Sequence, residues 1–307
     1  MSIFVKSCFL TIFIFFGISI TATFAQKRTG TKKVGVKSPA SVRTLLWEIS
    51  GNGLQKPSYV FGTMHILCAD DAKLSPNMKK ALQEAVRVYL EIDMDDREQM
   101  MSSLKYFRMN DGVKLQDLLT PAEYKRIDSA LKKSKTPMPL SMMNRFKPML
   151  IASMLGEQFM DCAKKNGMEM VIMDEVKLME KEIRGLETIA YQAGLFDSIP
   201  YAKQAKDLLL YIDSAQSYKN TTMEMVKVYK AQDLAKMDSL TRKSDPGMEA
   251  FMDILLYRRN RNWVQQMPVL MREGTMVFAV GAGHLPGKEG VLQLLRDKGY
   301  VVKPVVN

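Results

Sequence analysis

The sequence predicts an α/β protein: two β-α-β units that form a central mixed sheet, with a long helical insertion between them. Three observations carry this. Strand-like apolar runs gather near the two ends of the chain, at 43–49, 58–62 and 87–93 and again at 275–280 and 300–306. Residues from about 97 to 272 carry mostly helical signals. Each end also holds a Gly-x-x-His run after an apolar strand, Gly62-Thr63-Met64-His65 and Gly281-Ala282-Gly283-His284, which contain the two histidines of the chain.

The first 25 residues read as a signal peptide. Lys6 supplies the positive start and Cys8 to Ile20 the apolar stretch. Thr21-Ala22-Thr23-Phe24-Ala25 offers small residues for cleavage before Gln26. The run falls short of the roughly 20 apolar residues of a spanning helix, so an uncleaved anchor is the lesser alternative. No later stretch is long and apolar enough to cross a membrane, and the expectation is an exported protein, periplasmic or secreted. Residues 26–42 are basic and polar and read as a flexible linker. The remaining stretch, 43–307, suffices for one large domain.

Within that stretch the loop from Gly51-Asn52-Gly53 to Pro57 joins the first two strands as a hairpin. Ser75-Pro76 opens a helix to about Ala85, and 87–93 follows as a strand with Glu91 and Asp93 opposite Leu90 and Ile92. Thr120-Pro121-Ala122-Glu123 is a capping box for a helix to Lys133. Further helices are expected at 141–164, 168–180, 199–217, 220–242 and 246–272, with a short strand at 182–186 ending at Glu187. Strand 275–280, helix 288–298 and strand 300–306 close the chain. The 25 methionines gather in the helical middle, where such stripes serve as adaptable packing.

The net charge of +11 comes from Lys and Asp/Glu interleaved along helices. With no basic and aromatic platform, nucleic acid is excluded as a partner, and weak association with an anionic membrane surface is the most the charge implies. Cys68 and Cys162 remain once Cys8 leaves with the leader. The residues leave open a disulfide, a soft metal ligand at Cys68, or a pair of buried thiols, with the thiols preferred.

Several common sites are absent: His-Glu-x-x-His, Gly-x-Ser-x-Gly and Cys-x-x-Cys do not occur, and Gly281-x-Gly283 lacks a dinucleotide fingerprint. Glycine at a strand end lets the chain turn and direct the following histidine into a cleft. Imidazole is a common ligand of catalytic metals, so His65 and His284 in one site would supply nitrogen, and a carboxylate must complete the set. Glu91 is the first choice, Glu187 the second and Asp93 the third.

Phe61-Gly62-Thr63-Met64-His65 and Val280-Gly281-Ala282-Gly283-His284-Leu285-Pro286-Gly287 resemble the paired signature of the TraB/PrgY/GumN family, which includes the Tiki proteases and is related to the erythromycin-esterase group. Leu90-Glu91-Ile92-Asp93, Lys147-Pro148, Gly185-Leu186-Glu187-Thr188 with Gln192, and Arg259-Asn260 before Trp263 match in order, so the likeness spans most of 43–306. It implies that 43–307 is a TraB/GumN-like α/β domain and a metal-dependent hydrolase, with manganese or cobalt favoured and zinc the alternative. It further implies that His65, His284 and Glu91 are essential, with Glu187 and Arg259 in support. The family's Gly-Asp pair ahead of Leu-Glu-Thr is not matched, because Asp174 here follows Ile172-Met173. The expectation is a peptidase-like enzyme acting on a peptide or a small amide or ester. Arg259 would stabilise developing negative charge or hold a carboxylate. The alternative is a non-catalytic exported protein that sequesters a peptide or signal molecule.

Overall fold

The computed structural model describes residues 42–134, 136, 138–243 and 249–307. The expected signal peptide (1–25), and the expected linker (26–42) except its last residue, lie outside the described residues. The strands are β1 (Leu46–Ser50), β2 (Ser58–Thr63), β3 (Leu67–Cys68), β4 (Arg87–Ile92), β5 (Lys165–Asn166), β6 (Glu182–Glu187), β7 (Met276–Gly281) and β8 (Val301–Val305). Six of them form one mixed sheet in the order β6-β4-β7-β2-β1-β8. The first four in that order run parallel, while β1 and β8 are antiparallel to their neighbours. The two ends of the chain interleave, with β7 between β4 and β2 and β8 on the outer side of β1.

Local sequence explains the elements. Gly51, Asn52 and Gly53 all adopt positive φ (78°, 46° and 81°), which the tight β1–β2 turn demands. Strand β7 is buried on both faces as Met276-Val277-Phe278-Ala279-Val280, the uninterrupted apolar run of a central parallel strand. The helices of seven or more residues among those described are α1 (Pro76–Glu84), α2 (Pro121–Lys133), α3 (Pro148–Gly156), α4 (Met168–Leu178), α5 (Ile189–Leu195), α6 (Tyr201–Asp213), α7 (Ala215–Lys230), α8 (Leu234–Lys243), α9 (Arg258–Arg272) and α10 (Val291–Asp297). Ser75 caps α1 through Met78 N at 3.0 Å, and the Thr120/Glu123 box caps α2.

The expected helix 141–164 is broken. Pro148 forces Lys147 to an extended conformation (φ −56°, ψ 128°), so a new helix begins there and ends at Gly156, short of the expected bound. The expected 246–272 helix loses its first residues to the undescribed 244–248, and its remainder includes a π-helical turn, Asp253–Tyr257, directly before α9.

Helices cover both faces of the sheet. On one side Phe61, Val88, Leu90, Ile92 and Val277 pack with the helices of the middle region. On the other Val60, Tyr89, Phe278 and Val280 pack with Trp263, Met267 and Met271 of α9 and Leu292 and Leu295 of α10. Among the described residues no helix is long and apolar enough to cross a membrane.

Candidate metal centre

Strands β4, β7 and β2 are parallel neighbours, so their C-terminal ends open on one edge of the sheet, where α/β proteins commonly bind ligands. Glu91 lies near the end of β4, His65 two residues beyond β2 and His284 three beyond β7. All three are buried, at 5%, 8% and 2% exposure. The motif glycines serve close approach rather than the sharp turn expected of them. Gly281 has φ −49°, and Gly62, within β2, is not among the positive-φ glycines. A Cβ on Gly62 would lie 2.9 Å from Leu285 Cδ1 and 3.0 Å from Ala282 Cβ, so the first motif packs on the second. A Cβ on Gly281 would sit 3.1 Å from Glu91 Oε1, 3.5 Å from His284 Cδ2 and 3.8 Å from His65 Nε2. Gly281 therefore leaves a space of about methyl size around which the three side chains meet.

Hydrogen bonds fix each side chain. Glu91 Oε2 accepts from Arg259 Nη2 at 2.6 Å and from Gln192 Nε2 at 3.0 Å, while Oε1 accepts from Gly281 N at 2.7 Å. Burial alone would raise its pKa, but Arg259, the two imidazoles and the Gly281 amide hold the carboxyl down at about 2. Asn260 donates its amide to Glu289 O at 2.7 Å and to His284 O at 3.3 Å, which leaves Oδ1 as acceptor for His284 Nδ1–H at 2.6 Å. His284 Nε2 then carries the lone pair and accepts from Arg259 Nη1 at 3.1 Å. Burial and the guanidinium depress this imidazole to about 3, so it is neutral. Its ring lies 4.5 Å from that of Trp263.

The His65 side differs. Its Nδ1 lies 2.6 Å from Glu169 Oε1, and Glu169 is itself buried. Burial opposes charge on this ring, yet Glu169 outweighs it and raises the pKa. Glu169 sits in the first turn of α4. That segment is tied to the His65 segment by the β3–β5 pair, by Met168 N to Met64 O at 3.1 Å, and by a Cys68–Cys162 disulfide with Cα atoms 5.7 Å apart. The disulfide replaces the preferred reading of two thiols and removes Cys68 as a metal ligand.

Arg259 is fully buried beside Glu91 and Glu187. It donates Nε and Nη2 to Glu187 Oε1 at 2.8 and 2.6 Å, Nη2 also to Glu91, and Nη1 to Leu255 O and His284, so its whole guanidinium is engaged. Glu187 Oε2 accepts from Trp263 Nε1 at 3.0 Å, so both oxygens of Glu187 are turned to α9. Burial raises the Glu187 pKa against the opposing effect of Arg259. Asp93 accepts from the amides of Asp95 and Asp96 in a turn beyond β4, and Asp174 is exposed on α4. Buried Lys147 ties Ala193 O and Asp197 at 2.7 and 2.8 Å, next to Gln192.

The structure thus brings together His65, His284, Glu91, Arg259 and Glu187 and leaves Asp93 outside. Sequence reasoning did not single out Glu169, and it named Asn260 and Gln192 without a role. The available signal for Glu169 was a lone acid in the apolar run Met168-Glu169-Met170-Val171-Ile172-Met173.

The residues fit a divalent ion in chemistry and charge. Glu91 and Glu187 face the one buried guanidinium and Glu169 faces His65, so the three carboxyl groups carry a formal charge two units more negative than Arg259 balances, before any proton or ion is added. His284 Nδ1 is hydrogen-bonded to Asn260 Oδ1, the arrangement in which outer partners orient metal-ligating histidines, and His65 Nδ1 lies at ion-pair distance from Glu169. The arrangement is not a closed ligand cage: among the described residues no group of three or more His, Cys, Asp or Glu is already placed to hold an ion.

Fold and cluster define an α/β protein with a buried histidine–carboxylate centre at the ends of parallel strands. Residues 45–304 match the TraB/PrgY/gumN family model, and the chain belongs to that family. It is similar to Metalloprotease TIKI1 of Danio rerio, 23% identical over 316 residues that cover 86% of this chain and 63% of the relative. Metalloprotease TIKI2 of Xenopus tropicalis is 23% identical over 320 residues, 87% of this chain and 61% of its own. Metalloprotease TIKI1 of Homo sapiens is 23% identical over 328 residues, 89% and 64%. The chain therefore spans less than two thirds of the length of these relatives. No solved structure matches it.

Proposed function

We propose that this chain is an exported, metal-dependent hydrolase of peptidase type that acts on a peptide or a small amide or ester. The observation that carries the reading is the meeting of His65, His284 and Glu91 around Gly281, with Glu91 kept ionised and His284 kept neutral. His65 would hold the ion through Nε2 and Glu91 through Oε1, and His284 would join them through Nε2 by exchanging its hydrogen bond from Arg259 for the ion. The family resemblance favours manganese or cobalt, with zinc the alternative, and the nitrogen and oxygen donor set is compatible with all three. A bound divalent ion supplies a Lewis acid for the scissile carbonyl and acidifies water. Arg259 holds Glu91 and Glu187 in place and keeps a proton off His284, while Glu187 anchors Arg259 and Trp263. Export is supported by the apolar N-terminal run and by the disulfide, which persists in oxidising compartments.

The test is metal content by mass spectrometry of the purified protein beside His65→Ala and His284→Ala. Near-stoichiometric manganese, cobalt or zinc, lost in both variants, is expected and would be followed by a peptide-cleavage screen. A folded wild type that stays metal-free after exposure to these ions would leave sequestration of an unaltered ligand as the function.

A further inference from the structure

We infer that Glu169 is a positioning residue of this centre: it holds the His65 imidazole in the tautomer with the proton on Nδ1, which leaves the Nε2 lone pair for the ion. The inference rests on the metal-site reading above and assigns a residue that the motifs do not contain.

The geometry carries it. Glu169 Oε1 lies 2.6 Å from His65 Nδ1, and the two residues are 4% and 8% exposed. A carboxylate taken out of water is unfavourable unless it is paired, and Glu169 is paired with His65. The neighbouring phenol of Tyr229 donates to Gly62 O at 2.9 Å. Nδ1 is the ring nitrogen that meets Glu169 Oε1, and Nε2 is the one that comes near Gly281, so a proton shared with this carboxyl group sits on the Nδ1 side of the ring. His284 reaches the same tautomer by another route, through Asn260 Oδ1. Position is secured as firmly as chemistry. The β3–β5 ladder, the Met168–Met64 hydrogen bond and the Cys68–Cys162 bridge all join the segment before Glu169 to the segment around His65.

The test compares wild type, Glu169→Ala and Glu169→Gln by two readouts. The first is long-range proton–nitrogen NMR of the metal-free protein, above the titration of the ring. The chain has only two histidines, so His284→Ala assigns the spectrum. The wild-type His65 ring should carry its proton on Nδ1, and Glu169→Ala should redistribute it between the two nitrogens. The second is the affinity for Mn(II) or Co(II), measured by competition with a chelator. Glu169→Ala should weaken it by about 10- to 100-fold, as loss of an outer-shell partner does. Glu169→Gln keeps an oxygen that can accept from Nδ1 and should lose less. If the alanine variant does not fold, the glutamine variant decides, because its amide can also donate and should populate both tautomers. A merely structural Glu169 would lower thermal stability and leave both the ring signals and the affinity at wild-type values, which overturns the inference. If the wild type binds no metal, the proposed function falls, and the NMR comparison alone still decides what Glu169 does to the ring.

Discussion

The two Gly-x-x-His units look alike in sequence and are built differently in space. The His284 unit is held by the main core. Arg259, Asn260 and Trp263 all lie on α9, which packs against β7 and the strands beside it. The His65 unit depends on Glu169, which reaches it from a segment attached by a two-residue ladder and a disulfide. The electrostatics diverge accordingly: burial and then a neighbouring guanidinium keep protons off His284, while at His65 a neighbouring carboxylate outweighs burial and draws them on. A motif fixes the imidazole and its place at a strand end, and elements far away in sequence set the state of the ring.

The largest expected effect comes from cutting the His284 side at its cation. Arg259→Ala leaves Glu91 and Glu187 buried without their guanidinium and should destabilise the fold by about 3 to 5 kcal/mol in chemical denaturation. Arg259→Lys should rescue little, since one ammonium cannot span both carboxylates and the His284 ring. A loss below about 1 kcal/mol in both variants would mean the two carboxyls take up protons instead, and the contrast between the halves would weaken.

Next comes the staple on the His65 side. Replacing Cys68 and Cys162 together by serine opens a loop with a sequence separation of 94. It should cost about 2 to 4 kcal/mol. The informative readout is selectivity: the His65 ring signals should shift while those of His284, held by α9, stay put. Equal shifts in both rings would show that the two halves move as one.

Much of this site was legible in the sequence, and the illegible part follows a pattern. The strands were visible from apolar runs, and His65, His284, Glu91 and Glu187 from their places at strand ends. Glu169 was not, because a single acid in a methionine-rich helix looks like any surface charge until the helix is docked. The Cys68–Cys162 pair was open because its two-residue ladder is too short to leave an alternating pattern. The break before Pro148 lay in the residues, but the apolar run on either side of it reads as one helix. Gly62 and Gly281 were correctly found and wrongly explained, since close approach of residues distant in sequence, Leu285 and Ala282 to Gly62 and Glu91 and His65 to Gly281, leaves no local trace.

That misreading gives the third comparison. Gly62→Ala puts a methyl group 2.9 to 3.1 Å from Leu285 and Ala282, inside the packing between the two motifs, and should cost about 1 to 3 kcal/mol. Gly281→Ala meets Glu91 Oε1 at 3.1 Å and crowds the space between Glu91 and the two imidazoles. It should reduce metal affinity more than stability. If both variants lose stability and affinity in the same proportion, the two glycines share a single packing role.

The smallest effect is the most direct measure of the difference between the rings. His284 has a folded pKa of about 3 against 6.5 for the ordinary group. As pH falls below 6.5 the unfolded chain binds a proton that the folded ring refuses, so its share of stability is lost with acid. His65 is shifted the other way, above 6.5. Its contribution is complete below 6.5 and is lost as pH rises through the folded value. Glu91, held at about 2 against 4.5, adds a second acid loss, which begins only as pH drops below 4.5. The window from 6.5 down to 4.5 therefore isolates His284 from Glu91, and each group sets a slope of at most about 1.4 kcal/mol per pH unit. Urea unfolding of the metal-free protein across this range should show a shallower acid limb in His284→Ala and a flatter alkaline limb in His65→Ala. Should both variants keep the wild-type slopes, the opposite electrostatic settings of the two histidines would be refuted.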